Sequence, residues 1–107
     1  MGALYTSGVR VIAKSTLRSF WSGPRHRDAE QPLLAWFNEA ESANWSSPAD
    51  IKRCFGSASV LRGGRVVFNI GGNKYRLVVA IRYDLGIVFI RFVGTHGEYD
   101  GIDAAEV

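Results

Sequence analysis

The stretch "RVVFNIGGNKYRLVVAIRYDLGIVFIRFVG" (residues 65–94) decides the fold, because apolar and polar side chains alternate along it between glycine-containing turns. An alternation of period two is typical of β-strands, and "GG" and "DLG" are typical of hairpin turns. We therefore predict strands over residues 65–70, 75–83 and 87–94, preceded by a short strand over residues 59–62. Strands joined by such short turns pair in antiparallel order.

The first turn also predicts which side chains share a face of this sheet. With a two-residue turn formed by the Gly-Gly pair, Phe68 lies opposite Tyr75 on an apolar face. The other face is then basic, and a basic face favours polyanions. Its polar side chains are those of Arg65, Asn69, Lys74, Arg76 and Arg82.

The second turn predicts the place of the last strand. A three-residue loop with a left-handed glycine puts Gly94 near Arg76 and His96 near Lys74, on the basic face. A two-residue loop would move every side chain of the last strand to the opposite face.

The same register places Arg91 on the apolar face. It puts this arginine opposite Val79, where a cation needs either a partner or the edge of the sheet.

The N-terminal half changes to a helical period. After a short strand at residues 9–13, Ser15 can cap a first helix, and Asp28 precedes a second apolar stripe of period 3.6. Ser47 and Pro48 open a third helix, because proline is favoured at the first helical position. The expected fold class is α+β, with N-terminal helices packed on a twisted, mainly antiparallel sheet.

The composition fits one globular domain over residues 1–107, with residues 1–8 expected to form a flexible extension. No window approaches eighteen uncharged apolar residues, and the first residues lack the apolar core of a signal peptide. Cys54 is the single cysteine, so an internal disulfide is excluded. These features favour a cytoplasmic protein without a membrane partner.

Charge is segregated along the chain, although the net charge is only +3. Residues 10–27 carry five basic groups and no acid, residues 28–50 five acids and no base, and residues 51–91 eight basic groups against one acid. Such blocks can form a basic face for polyanions, but most charge blocks are simply solvated surface.

Several chemistries are poorly supported. His26, His96 and Cys54 share no metal-ligand spacing, so no metal site and no cofactor are predicted. Cys54 adjoins Phe55 in a predicted helix and is expected to be a small buried side chain, not a nucleophile. The glycine pairs lie in hairpins and do not open helices, so a nucleotide-phosphate loop is not indicated.

The segment "GTHGEYD" (residues 94–100) places several proton-transfer groups directly after the last strand. A histidine in this position is most often a structural or surface residue. Beside Arg76 and Lys74, however, His96 with Tyr99 and a carboxylate could cleave RNA without a metal. A base takes the 2′-hydroxyl proton, cations stabilise the crowded phosphate, and an acid protonates the leaving 5′-oxygen. Whether Glu98 or Asp100 assists is left open by the sequence.

The segments "VRVIAKSTLRSFW", "FNIGGNKYRLVVAIRYD" and "IRFVGTHGEYD" resemble the HigB branch of the RelE superfamily from about Arg10 onward. Its members are toxins of bacterial type II toxin–antitoxin pairs. The resemblance implies a RelE-like α+β fold and a metal-independent endoribonuclease that cuts mRNA, usually on the ribosome. It also implies a HigA-like helix-turn-helix antitoxin as partner, and contact with DNA only through the toxin–antitoxin complex.

The resemblance also assigns roles to individual residues. Arg76 matches the arginine that contacts the scissile phosphate, His96 matches a catalytic histidine or arginine, and Tyr99 matches, more loosely, a C-terminal aromatic residue. Lys74 is predicted as a further phosphate-stabilising cation. The predicted RNA-binding side chains are those of Arg65, Asn69, Asn73 and Arg82.

One departure from the family pattern bears on activity. Val67 and Asn69 stand where RelE-type members place two lysines, so proton transfer must rest on His96, Lys74 or an acid. Three alternatives therefore remain: a non-catalytic RNA- or ribosome-binding module, a protein that acts only through its protein partner, and an inactive toxin homologue.

Overall fold

The computed structural model describes residues 10–107, so the extension predicted over residues 1–8 lies outside the described residues. The helices are α1 (Lys14–Trp21), α2 (Glu30–Ser42), α3 (Pro48–Cys54) and α4 (His96–Asp100), with one 3-10 turn over Arg27–Ala29. The strands are β1 (Arg10–Ile12), β2 (Ser59–Val60), β3 (Arg65–Ile70), β4 (Tyr75–Arg82) and β5 (Ile87–Thr95).

Within residues 10–107 the strands form one five-stranded sheet in the order β1-β5-β4-β3-β2. β1 runs parallel to β5, and the other three pairs are antiparallel. Parallel pairing of β1 with β5 is possible because α1 and α2 lie in the long connection that returns the chain to the sheet. The predicted α+β fold is confirmed.

The main core lies between the helices and one face of the sheet. Leu17, Leu33 and Ile51 of the three N-terminal helices are fully buried. Burial of such a side chain stabilises a fold by roughly 1.5–3 kcal/mol. The sheet side chains that meet them in this core are those of Val66, Phe68, Ile70, Tyr75, Leu77, Val79, Ile81 and Val88.

The first hairpin has a longer turn than the Gly-Gly pair predicts. Residues 71–74 all lie in the turn, so Phe68 pairs with Leu77 and Asn69 with Arg76. The predicted pairing of Phe68 with Tyr75 is therefore wrong by two residues. Because side chains alternate with a period of two, this shift leaves every residue of β3 and β4 on its predicted face.

The second hairpin also has a longer loop than predicted, which shifts the pairing of the two strands. A β-bulge farther along β5 reverses this shift. Ile87 pairs with Arg82, and the pairing then shifts between Val78 and Val79. Val79 faces Ile90, so the prediction that Arg91 lies opposite Val79 on the apolar face is wrong. Arg91 is the extra, exposed residue of the bulge. Beyond the bulge, Gly94 pairs with Arg76 as predicted.

The second face of the sheet is less polar than predicted. Val67 and Val78 are buried there under the chain that follows β5, together with Ala104. The partly buried side chains around this second core are those of Leu61, Phe92, Tyr99, Ile102 and Val107. The predicted basic face is therefore interrupted by an apolar centre, which separates its cations.

Three local expectations on the helices also fail. Ser15 does not cap α1, because it lies inside this helix, whose N-cap is Ala13. Asp28 does not cap α2, because its carboxylate binds side chains of the sheet instead. Cys54 is exposed at the end of α3, and not buried as expected. Within residues 10–107 no helix is long and apolar enough to cross a bilayer.

Candidate active site

Arg76 is held rigidly at the start of β4, on the face opposite the helices. It is only 9% exposed, and its guanidinium donates hydrogen bonds to the backbone and the side chain of Asn73 in the preceding turn. Nη1 lies 3.1 Å from the backbone oxygen of Asn73, and Nη2 lies 2.8 Å from the Asn73 Oδ1 atom. The amide of Asn73, predicted to bind RNA, thus fixes the plane of the guanidinium.

The charge of Arg76 has no carboxylate partner among residues 10–107. The ion pairs of this part of the chain join Arg53 to Asp50, Lys74 to Asp28, Arg82 to Asp84 and His96 to Asp100. A nearly buried cation without a counter-charge is unfavourable, and an anion that reaches it restores the balance. A guanidinium is well suited to phosphate, which it can bind with two parallel hydrogen bonds.

Tyr99 of α4 lies beside the guanidinium of Arg76. The guanidinium carbon of Arg76 lies 5.9 Å from the centre of the Tyr99 ring, within the range of a cation–π contact. Gly94, opposite Arg76, is closely covered, since a Cβ atom there would lie 2.6 Å from Phe92 Cζ and 2.8 Å from Glu98 Oε1. The absence of a side chain at Gly94 therefore leaves room for Phe92 and for Glu98 of α4.

His96 begins α4 at the same end of the sheet. Its backbone N–H donates to the oxygen of Lys74 at 3.1 Å, which confirms the predicted proximity of the two residues. Its Nε2 atom lies 3.7 Å from Asp100 Oδ1, and its side chain is 50% exposed. The imidazole is therefore both anchored and accessible to a substrate.

The capping of α4 places Glu98 and Asp100 in different environments. Glu98 Oε1 accepts the backbone N–H of Thr95 at 2.8 Å, and Thr95 Oγ1 accepts the N–H of Glu98 at 3.1 Å. This reciprocal capping box occupies the Glu98 carboxylate. Asp100 is the carboxylate that faces His96.

Lys74 is placed differently from Arg76. Its ammonium group binds the carboxylate of Asp28, which also accepts the hydroxyl of the buried Tyr75. These hydrogen bonds from Lys74 and Tyr75 lower the pKa of Asp28, and the bond to Asp28 raises the pKa of Lys74. Burial, and then the bond to Asp28, raises the pKa of Tyr75. The charge of Lys74 is thus compensated on the helix side of the sheet.

The remaining predicted RNA-binding residues are spread along β3 and β4. Asn69 pairs with Arg76 and is half-buried beside it. Arg65 lies at the other end of β3 and donates to the oxygen of Val107 at 2.8 Å. Arg82 lies six residues from Arg76 along β4, about 20 Å at strand spacing, and forms an ion pair with Asp84 at 2.9 Å. Of the predicted RNA-binding residues, only Asn69 and Asn73 therefore lie beside Arg76.

Sequence reasoning missed Asp28 as a part of this region. Its position before an apolar stripe indicates a helix cap, and no local pattern points to side chains forty-six residues away. Within residues 10–107, no three of the side chains of His, Cys, Asp and Glu come together in a way that could hold a metal ion.

Comparison with known proteins narrows the class to which this small α+β protein belongs. The profile of the HigB toxin family, described as the RelE-like toxic component of a toxin-antitoxin system, matches residues 29–102. The chain belongs to this family, as its sequence motifs predict.

Individual relatives agree with this assignment. The chain is 32% identical over 79 residues to the mRNA interferase toxin HigB of Escherichia coli strain K12. The aligned region covers 72% of this chain and 73% of that protein. The mRNA interferases HigB of Escherichia coli O157:H7 and of Shigella flexneri match with the same identity and coverage. These names support the predicted enzyme class, an endoribonuclease.

Proposed function

We propose that this chain is the toxin of a type II toxin–antitoxin system and cleaves mRNA within the cytoplasm. The observation that carries the proposal is the guanidinium of Arg76, nearly buried, oriented by Asn73 and free of any ion pair among residues 10–107. In a family whose relatives are named mRNA interferases, the anion that suits this group is a phosphate of RNA.

The chemistry assigned to the site is an internal transesterification of RNA. A base removes the proton of a 2′-hydroxyl, the oxygen attacks the adjacent phosphorus, and the 5′-oxygen leaves and takes up a proton. The products are a 2′,3′-cyclic phosphate and a 5′-hydroxyl end. Arg76 stabilises the phosphate as negative charge grows on it, a contribution of about 10²–10³-fold for one well-placed donor.

His96 is the proton-transfer group of this proposal. Histidine side chains serve as acids and bases in many enzymes. That of His96 is accessible, and Asp100 lies beside its Nε2 atom. A positioned acid or base contributes on the order of 10²–10⁴-fold. Tyr99 completes the site as the aromatic wall beside Arg76. Lys74 adds positive field near the phosphate only when RNA competes with Asp28 for its ammonium group.

Three further features belong to the proposal. Cleavage needs no metal ion and takes place on the ribosome, and a HigA-like helix-turn-helix antitoxin neutralises the toxin. Contact with DNA then occurs only through the complex with that antitoxin. The resemblance to the HigB branch supports these features, and the membership of a toxin–antitoxin family supports the presence of an antitoxin.

The proposal is tested by mapping cuts in mRNA by primer extension, with purified protein, with and without ribosomes and with chelator present. Wild type is expected to cut, while His96→Ala and Arg76→Ala lose about 10²-fold or more in rate. Arg53→Ala is the matched control, since Arg53 is exposed on α3 and carries the same charge. Thermal unfolding of each variant separates loss of chemistry from loss of fold.

A non-catalytic RNA-binding module is the second candidate, favoured by the compensation of Lys74 and by Val67 and Asn69 in place of lysines. It predicts that RNA binds in a salt-sensitive way and that Arg76→Ala weakens this binding. Wild type and His96→Ala would then show the same absence of cuts, which would rule out the enzymatic proposal.

A further inference from the structure

The bulge in β5 changes the direction of one cationic side chain. In an unbroken ladder, Arg91 would lie opposite Val79 and point into the helix-side core. The bulge instead leaves Arg91 unpaired and exposed. Bulges interrupt a ladder of hydrogen bonds, and they are over-represented near active sites, where they redirect side chains.

Arg91 stacks beside an aromatic ring on the face that carries Arg76. Its guanidinium carbon lies 5.6 Å from the centre of the Phe89 ring. Phe89 pairs with Ala80, and Gly94 pairs with Arg76, so both pairs belong to the same face of β4 and β5. Phe89 is half-buried and lies outside the second core, to which β5 contributes Phe92.

The charge of Arg91 is uncompensated, as is that of Arg76. Neither residue takes part in an ion pair within residues 10–107, whereas nearby Arg82 is paired with Asp84. Four residues of β4 separate the row of Phe89 from the row of Arg76, which is about 13 Å at strand spacing. A single RNA strand bound at Arg76 can therefore reach the row of Phe89 within a few nucleotides.

We propose that Phe89 and Arg91 form a second RNA-binding site, which holds a base and a phosphate of the same RNA strand a few nucleotides from the scissile phosphate. The inference rests on the proposed function. A flat guanidinium over an aromatic ring provides a stacking surface for a base, and its charge neutralises the neighbouring phosphate. An acidic protein segment could use the charge of Arg91, but the paired planar groups fit a nucleobase better.

The test measures binding of full-length protein to two sets of RNA, made uncleavable by one 2′-deoxy nucleotide at the cut site. The first set spans only the cut site with one nucleotide on each side. The second set adds six nucleotides on the 5′ side or on the 3′ side. Arg91→Ala is expected to weaken one of the extended RNAs about tenfold, the effect of one lost stacking contact. Binding of the short RNA is expected to stay unchanged.

Two further variants keep the test sharp. Arg91→Lys retains the positive charge but not the planar guanidinium. It should bind RNA with the salt dependence of wild type, but with much of the affinity loss seen in Arg91→Ala. Arg91→Ala should also reduce the log–log salt slope by about 0.7, the value for one phosphate of a single strand. Arg53→Ala removes the same charge from α3 and should leave both quantities as in wild type.

The outcomes separate this inference from the proposed function. If wild type cuts RNA but Arg91→Ala binds every RNA like wild type, the second site does not exist while the cleavage site stands. If Arg91→Ala binds RNA normally but binds the antitoxin more weakly, the surface is a protein interface and the inference fails. If wild type neither binds nor cuts RNA, the proposed function itself fails.

Discussion

Replacing Asn73 with alanine removes one of the three oxygens that accept hydrogen bonds from the Arg76 guanidinium, the others being the backbone oxygens of Asn73 and Tyr75. The backbone oxygen of Asn73 remains, but the bond of 2.8 Å from Nη2 to the side-chain oxygen is lost. A hydrogen bond to a charged group contributes about 1.5–3 kcal/mol, and 1.4 kcal/mol corresponds to a factor of ten. We expect kcat/KM for RNA cleavage to fall about 10- to 150-fold, less than for loss of Arg76 itself.

The assay is a double-mutant cycle on single-turnover cleavage rates. If Asn73 acts through Arg76, adding Asn73→Ala to Arg76→Ala changes the rate little further, because the group to be oriented is already gone. If the double variant instead lost the product of the two single-variant rate reductions, this reasoning would be refuted and Asn73 would contact RNA by itself. Asn38→Ala, on the exposed face of α2, is the control and should leave the rate unchanged.

A conservative variant distinguishes positioning from structural support. Asn73→Asp keeps an acceptor oxygen for Nη2, so the hairpin and Arg76 should stay in place. Its carboxylate, however, supplies the counter-charge that Arg76 lacks and competes with phosphate. Cleavage should therefore fall while thermal stability is kept or raised, whereas a purely structural role for Asn73 predicts near wild-type cleavage.

Three predictions concern the fold. Because the folded-state pKa of Asp28 is lowered, its contribution to the free energy of unfolding is present above the ordinary pKa of about 3.9 and is lost as pH falls through the folded value. Asp28→Asn should flatten the acid side of a plot of urea midpoint against pH, and an unchanged slope contradicts this. Gly64→Ala should lower the melting temperature more than Gly72→Ala, since both have positive φ but only Gly64 would bring a Cβ atom within 2.9 Å of the Ile81 oxygen. Leu33→Ala should cost about 2–5 kcal/mol by urea denaturation with an unchanged m-value, because this side chain is fully buried between α2 and the sheet.

The faces of β3 and β4 could be predicted from sequence, but the pairing between these two strands could not. Alternation along residues 65–82 fixes which side chains point to the helices, and a shift of two residues leaves that pattern unchanged. The turn after Ile70 takes in Asn73 and Lys74 as well as the glycines, and the identity of its first residues does not set its length. The predicted pairing of Phe68 with Tyr75 is therefore wrong, although the prediction that Phe68 lies on the apolar face is confirmed.

The bulge at Arg91 left a signal that was visible in the sequence. An arginine between two apolar residues of a strand, at a position due for the core, conflicts with simple alternation. A bulge resolves the conflict by adding one residue, so the strand is in the predicted register at Gly94 and out of it at Ile87. The role of Asp28 left no such signal, since its partners lie far away in sequence and are joined to it only by the tertiary fold.

The uncompensated charge of Arg76 has a consequence for handling the protein in solution. Any ligand that binds the native state and not the unfolded chain raises stability, by about 2.7 kcal/mol at a hundred times its dissociation constant. If Arg76 binds oxyanions as proposed, phosphate and sulfate should act as such ligands, because they offer it the missing negative charge. The melting temperature is then expected to rise with their concentration, so that it reports an occupied site without any RNA being cut.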